Sequence, residues 1–216
     1  MSFAREAWPL VLPPFVVGIG LLWWSCGGTS VWPQVSGWIL VVLAIAILLF
    51  FRDPQRTPPS DPTLVVSPAD GVVVETTTLD SGEKFVAIFL SVFDVHVNRA
   101  PYGGKVKQVT NKPGTYRHAN SKEAATGNAR IDVDIETTHG MMRFSQISGL
   151  VARKISCRIK PGDTVSTGER FGLIYFGSRM EIVMPASADI KTKVGERAVA
   201  GETVIAAFGG EHKTRS

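Results

Sequence analysis

Residues 175–185 read "YFGSRMEIVMP". The Gly177-Ser178 pair interrupts an apolar run that would otherwise continue across a sheet. A serine hydroxyl can attack the carbonyl of the peptide bond before it, and the product is an ester. Glycine at that position opens backbone conformations closed to other residues, so strain can be concentrated at the bond. β-Elimination of the ester breaks the chain and leaves dehydroalanine, which hydrolyses to a pyruvoyl group and ammonia. A pyruvoyl carbonyl condenses with amines and accepts electrons, as pyridoxal phosphate does. The same pair would also serve as a β-turn or bulge at a hairpin tip. A third reading keeps Ser178 intact as a hydrolase nucleophile with His96 and Asp70. The surrounding Phe-Gly-Ser-Arg-Met, however, is not a Gly-x-Ser-x-Gly elbow.

Such chemistry needs a scaffold. The chain has 216 residues, which is enough for one sizeable core with an appendage. Its mean hydropathy is slightly positive, and the excess lies in the first 51 residues. Two uncharged apolar stretches, about residues 8–24 and 35–51, each span about 25 Å as helices, enough to enter or cross a bilayer. "SCGGTSVWPQ" between them reads as a turn, and the five tryptophans cluster at the stretch ends as interface anchors do. Arg5 precedes the first stretch, and Arg52 and Arg56 follow the second. This distribution predicts a cell-membrane hairpin, residues 1–52, with both ends and the following domain in the cytoplasm. Pro9, Pro13 and Pro14 predict an imperfect first helix. The net charge of +4 suits an anionic membrane surface and does not suggest a nucleic-acid partner. Two cysteines, Cys26 and Cys157, in segments of different character, support neither a disulfide framework nor a metal cluster.

A Pro-rich connector, residues 53–63, leads into a domain over 64–216. Its segments are short, β-branched and bounded by Gly, Pro, Asp and Asn, with one short helix near Asn120–Ala125. "KFVAIFLSVFDVHVNRA" is a β-like stretch, and "RIDVDIETT" alternates as a strand with one wet face. Residues 159–174 echo residues 192–206, each with two glycines six apart running into a strand. The expected fold is mainly β, a sandwich or flattened barrel with biotinyl/lipoyl-like Gly-turn strands, preceded by the helical hairpin. A membrane-tethered, non-enzymatic carrier module is therefore a rival reading. It needs a lysine at a hairpin tip, and "GSRMEIVMP" offers Ser178 and Arg179 instead.

"FFRDPQRTPP" after an apolar hairpin, "VSPADGVV", "FLSVFDVHVNRAP", "QISGLVARKI" and "FGSRMEIVMP" occur in that order. In this register the chain from Phe50 to about Pro185 resembles the phosphatidylserine decarboxylases, specifically the short, membrane-anchored form. The tail to Ala207 fits more weakly. The resemblance implies self-cleavage between Gly177 and Ser178, giving a large chain (1–177) and a small chain (178–216) that stay together. It implies a pyruvoyl cofactor made from Ser178 that forms a Schiff base with phosphatidylserine, with no metal and no pyridoxal phosphate. It leaves a homo-oligomer open. Asp70 matches the acid that supports serine activation, and His96 matches the first of two family histidines three residues apart. Arg99 stands at the second. Many members read Leu-Gly-Ser-Thr where this chain reads Phe-Gly-Ser-Arg. Asn128 and Arg130 match an Asn-x-Arg element near the pocket. His118 is a fallback acid or base. Arg153, with Lys154, could face lipid phosphates. His139 reads as a hairpin turn, and His212 as tail.

Overall fold

The computed structural model describes residues 2–28, 30–114, 128–149, 154–175 and 178–209. It has two compact units, Met1–Gln55 and Arg56–Ser216. In the first unit, helix α1 (Trp8–Ser25) and helix α2 (Trp32–Phe50) form an antiparallel hairpin. Both are long and apolar enough to cross a membrane by length and composition. Pro13 and Pro14 sit inside α1, which runs through them as one helix. The helices meet closely at two glycines. A Cβ at Gly18 would lie 2.9 Å from the Gly37 carbonyl, and one at Gly37 would lie 2.9 Å from the Gly18 carbonyl. Small residues at a crossing let apolar helices gain dispersion contacts that lipid alone does not favour. Strand β1 (Ser2–Phe3) pairs with β2 (Arg52–Asp53) and joins the two ends of the hairpin.

The second unit is all β among its described residues. The predicted helix near 120–125 lies outside them. The strands are β3 (Leu64–Val66), β4 (Gly71–Thr78), β5 (Lys84–Leu90), β6 (Val97–Arg99), β7 (Gly104–Lys112), β8 (Arg130–Thr137), β9 (Gly140–Ser148) and β10 (Ile155–Cys157). They continue with β11 (Thr164–Val165), β12 (Arg170–Ile174), β13 (Ser178–Met184), β14 (Ala188–Ile190), β15 (Arg197–Ala198) and β16 (Val204–Phe208). A curled antiparallel sheet has the order β11-β7-β8-β9-β13-β5-β4-β15. Two three-stranded sheets, β10-β12-β6 and β14-β16-β3, complete the unit. Period-2 alternation points Val86, Ile88 and Leu90, Met142 and Phe144, and Met180, Ile182 and Met184 into one buried core. Phe144 and Phe171 meet edge to face there, with ring centroids 4.7 Å apart.

The echoed segments fold alike. Each makes a turn, a two-residue strand, a second turn closed by a left-handed glycine (Gly168 and Gly201, both φ 76°), and then a longer strand. Their short strands, β11 and β15, cap opposite edges of the large sheet. The Gly-turn repeat of the sequence is thus a pseudo-symmetric pair of edge units.

The β-like stretch "KFVAIFLSVFDVHVNRA" does not form a single strand. β5 belongs to the large sheet, β6 to a small one, and residues 91–96 cross between them. Residues 175–185 do not form a hairpin either. β12 lies in the small sheet and β13 in the large one, so the chain changes sheets between Ile174 and Ser178. The same holds for the neighbouring strand, because β9 lies in the large sheet and the next strand along the chain, β10, in the small one. Three adjacent strands, β9-β13-β5, therefore turn over into three adjacent strands, β10-β12-β6. A strand that switches sheets must bend sharply, and bends are made with bulges or small residues. Ser178 is the first described residue of the middle strand beyond that change of sheet.

Within the corner Gly172 has no room for a side chain. Its Cβ would fall 2.4 Å from the Ser156 carbonyl oxygen and 2.6 Å from Gln146 Nε2. Gly172→Ala is expected to lose about 1–3 kcal/mol of stability through overpacking, measured by chemical denaturation. An unchanged midpoint would show that β10 and β12 can separate freely.

Candidate active site

Ser178 opens β13. Its backbone is bracketed in register by Leu90 of β5 and Ser148 of β9. The residue is fully buried, and its Oγ has no hydrogen-bond partner among the described residues. Asn98 Nδ2 and Gln146 Oε1 are buried in the same condition. Each such atom costs about 1–3 kcal/mol of desolvation, so a fold does not gather several by chance.

Backbone pairing also holds both sides of the chain that leads to Ser178. The Ile174 N–H donates to the His96 carbonyl at 3.3 Å, and the Tyr175 N–H donates to the Lys154 carbonyl at 3.1 Å. His96 thus ends the crossover that runs beside the chain leading to Ser178. A local cage holds that crossover. The Asp94 carboxylate accepts from Ser91 N (2.8 Å) and Ser91 Oγ (2.7 Å) and pairs with Arg197. The His96 ring is fully buried, with Nδ1 2.9 Å from the Asp94 carbonyl oxygen. A carbonyl can only accept, so Nδ1 carries a proton, and Nε2 is the basic atom whenever the ring is neutral. That is the tautomer a general base needs.

Asp70 lies at the same end of the large sheet, just before β4. Two strand spacings separate β4 from β13, about 10 Å. Its carboxylate accepts from Arg56 Nη2 at 3.0 Å and from Ala200 N at 2.8 Å. Arg99 is buried beside this group. Its Nη1 donates to the Gly168 carbonyl at 2.9 Å, and its Cδ lies against Gly201, where a Cβ would be only 2.9 Å away. The position where the sequence resemblance expects a second histidine is therefore filled by a buried arginine packed next to the Asp70 turn.

The Asn128 amide donates to the Ser148 carbonyl at 2.7 Å, so it fixes the residue opposite Ser178. Arg130 goes elsewhere. Ile131, Val133 and Ile135 of β8 face the core, and Arg130 lies on the other face of the sheet from Ser178. There it donates to Asp132 (2.7 Å) and Ser145 (2.8 Å) and approaches Glu181 at 3.4 Å. The alternation of this strand follows the sequence pattern, but its polar face is not wet throughout. Asp132 is 3% exposed, and on neighbouring strands Ser145, Arg179 and Glu181 are buried too. Arg179 donates to Glu181 at 2.9 Å and to Glu75 at 2.8 Å, which extends an ion ladder over β4, β13, β9 and β8. Burial pushes the Glu181 carboxyl above its ordinary range, against the pull of Arg130 and Arg179. For Asp132, burial would also raise the value, but hydrogen bonds from Ser145, Lys112 and Arg130 outweigh it and hold the group low.

Gly177, His118 and Arg153 lie outside the described residues. Lys154 sits over the Tyr175 ring at 5.3 Å. His139 occupies the β8–β9 turn and stacks on Phe208 with centroids 4.1 Å apart. Among the described residues no cluster of three or more His, Cys, Asp or Glu side chains could hold a metal ion. Sequence reasoning missed Asn98 and Gln146. The signal was present in "MMRFSQIS", where Gln146 follows Met142 and Phe144 on the core-facing positions.

A mainly β unit behind an apolar hairpin, with a buried serine at the corner of its middle strand, can now be set beside known proteins. The phosphatidylserine decarboxylase family profile matches residues 43–206, which takes in the end of α2, the connector, Asp70, His96 and Ser178. That match covers most of the chain and supports decarboxylation of a phospholipid head group as its activity. The chain belongs to the phosphatidylserine decarboxylase family.

Proposed function

We propose that this protein is made as a self-processing proenzyme that cleaves itself between Gly177 and Ser178 and then converts phosphatidylserine to phosphatidylethanolamine and CO₂. The observation that carries this reading is Ser178 itself. It is buried at a sheet-changing corner, with an Oγ that has no competing partner among the described residues. His96, in its neutral form and through Nε2, takes the Oγ proton as the hydroxyl attacks the Gly177 carbonyl. The amide nitrogen becomes the free amine of Ser178, and the acyl group moves to oxygen. Loss of the Cα proton and of the Gly177 carboxylate breaks the chain. One water then replaces the nitrogen, which leaves as ammonia.

The site fits the resulting pyruvoyl group. Position 178 is held by backbone pairing on both sides, so it stays in register after the break. The small chain also stays bound, because β13 is interior to the large sheet, β15 pairs with β4, and β16 pairs with β3. When present, the pyruvoyl carbonyl supplies an electron sink to which the substrate amine attaches. The buried surroundings exclude water, which would otherwise favour the charged carboxylate. His96 returns a proton to the carbon that has lost CO₂. Asp70, held by Arg56 and Ala200, supports the charge developed at the corner. No metal or pyridoxal phosphate takes part.

The hairpin keeps the unit beside an insoluble substrate and raises its effective concentration. Arg5 and Arg52 at the joined hairpin ends support a cytoplasmic orientation.

Intact mass of the protein purified from membranes tests this reading. Two chains are expected, the smaller beginning at residue 178 and about 17 Da lighter than a serine-started fragment, since the amine is replaced by a ketone. A single full-mass chain would withdraw the reading and favour an intact-serine hydrolase. His96→Gln is expected to slow both the chain break and the turnover of matured protein by about 10²–10⁴-fold, as loss of a positioned acid–base group does. Normal rates in both assays would remove His96 from the mechanism.

A further inference from the structure

Two buried amides face each other across the gap between the large and small sheets. Gln146 Nε2 donates to Asn98 Oδ1 at 2.9 Å and to the Ser156 carbonyl at 3.4 Å. The Ser156 carbonyl can only accept, which sets the orientation of the Gln146 amide. The pairing leaves one donor, Asn98 Nδ2, and one acceptor, Gln146 Oε1, both fully buried and without partners among the described residues.

Register places them at the corner. Gln146 is two residues from Ser148, which opposes Ser178, so it lies on the Ser178 face, diagonal to the serine. Asn98 is two residues past His96 and opposite Gly172, the residue that has no room for a side chain beside Gln146. A core alone would be served better by leucine at both positions, and the fold has instead kept a glycine to admit the amides.

We propose that the Asn98–Gln146 pair is the floor of the head-group site and recognises an α-amino acid group. Asn98 Nδ2–H donates to the substrate carboxylate, and Gln146 Oε1 accepts from the substrate ammonium. This rests on the decarboxylase reading and names the residues that select its substrate. The pair is uncharged, which suits the reaction. A cationic anchor would stabilise the carboxylate most in the ground state, whereas a neutral amide orients it without deepening that well.

The test uses the full chain in vesicles that hold phosphatidylserine and phosphatidylethanolamine with acyl chains of different mass. Cyanoborohydride traps whichever amine has condensed with the small chain, and intact mass gives the ratio of the two adducts, counting the serine lipid with or without its CO₂. The parent is expected to favour the serine lipid by at least about tenfold, because a site built to bond a group rejects the analogue lacking it. Asn98→Leu and Gln146→Leu, made together so that neither amide is left without its partner, are expected to bring the ratio near one while the thermal midpoint stays level or rises. Asn98→Asp, which keeps the size and adds a negative charge, is expected to invert the preference. An uncleaved parent overturns the decarboxylase reading and this one with it. A cleaved parent whose variants keep the preference, or whose double Leu variant only loses stability, overturns the head-group assignment alone.

Discussion

Ser178→Ala is expected to yield one uncleaved chain with no decarboxylase activity above background. Alanine has no hydroxyl to attack the Gly177 carbonyl, so no ester forms, nothing eliminates, and no ketone appears at position 178. The variant should fold. Removing a buried Oγ that lacks a partner among the described residues relieves a desolvation cost, so its stability should match or exceed that of the parent. Intact mass and phosphatidylethanolamine formation check the two halves of the expectation. An active, uncleaved Ser178→Ala protein would remove this serine from the chemistry altogether. A cleaved one would place the break elsewhere.

Arg179→Met is expected to lose about 3–5 kcal/mol of stability, because it leaves a buried carboxylate without its closest cation. Arg179 is 3% exposed and holds Glu181 at 2.9 Å and Glu75 at 2.8 Å. Pulse proteolysis of the full chain across a urea series measures the change. The sign of its pH dependence follows from Glu181. Burial already raises that carboxyl above its unfolded value, and loss of Arg179 raises it further. A folded-state pKa raised above the unfolded one means that the folded protein binds more protons. Stability is then greatest below the unfolded value and is lost as pH rises through the folded value. The deficit of Arg179→Met should therefore be larger at neutral pH than in mild acid. Adding Glu181→Gln should recover part of the loss by removing the stranded charge. Equal deficits at both pH values would mean that Arg179 acts by packing alone.

Some of this molecule is written locally, and local patterns are what a sequence reports well. Uncharged runs of helical length marked the hairpin, because hydropathy needs no partner to be read. The paired Gly turns of 159–174 and 192–206 were visible, because a left-handed turn requires glycine wherever the strand goes. The alternation of "RIDVDIETT" assigned its core face correctly. Family motifs in register then linked Gly177, Ser178, His96 and Asp70 to one chemistry.

Strand neighbours, however, are set by long-range pairing, and no local pattern encodes them. Nothing near His96 said that β5 and β6 belong to different sheets, and nothing near Ser178 said that its apparent hairpin was a sheet-changing corner. The polar face of β8 looked wet, because a sequence shows charges but not the guanidiniums brought over them from β13. Gln146 and Asn98 are 48 residues apart in the chain and 2.9 Å apart in the fold. The sequence by itself determined the types of element and singled out the candidate reacting residue, since these depend on periodicity and on side-chain chemistry. Only the tertiary structure decided what surrounds that residue, since burial and pairing depend on which distant strands the core brings together.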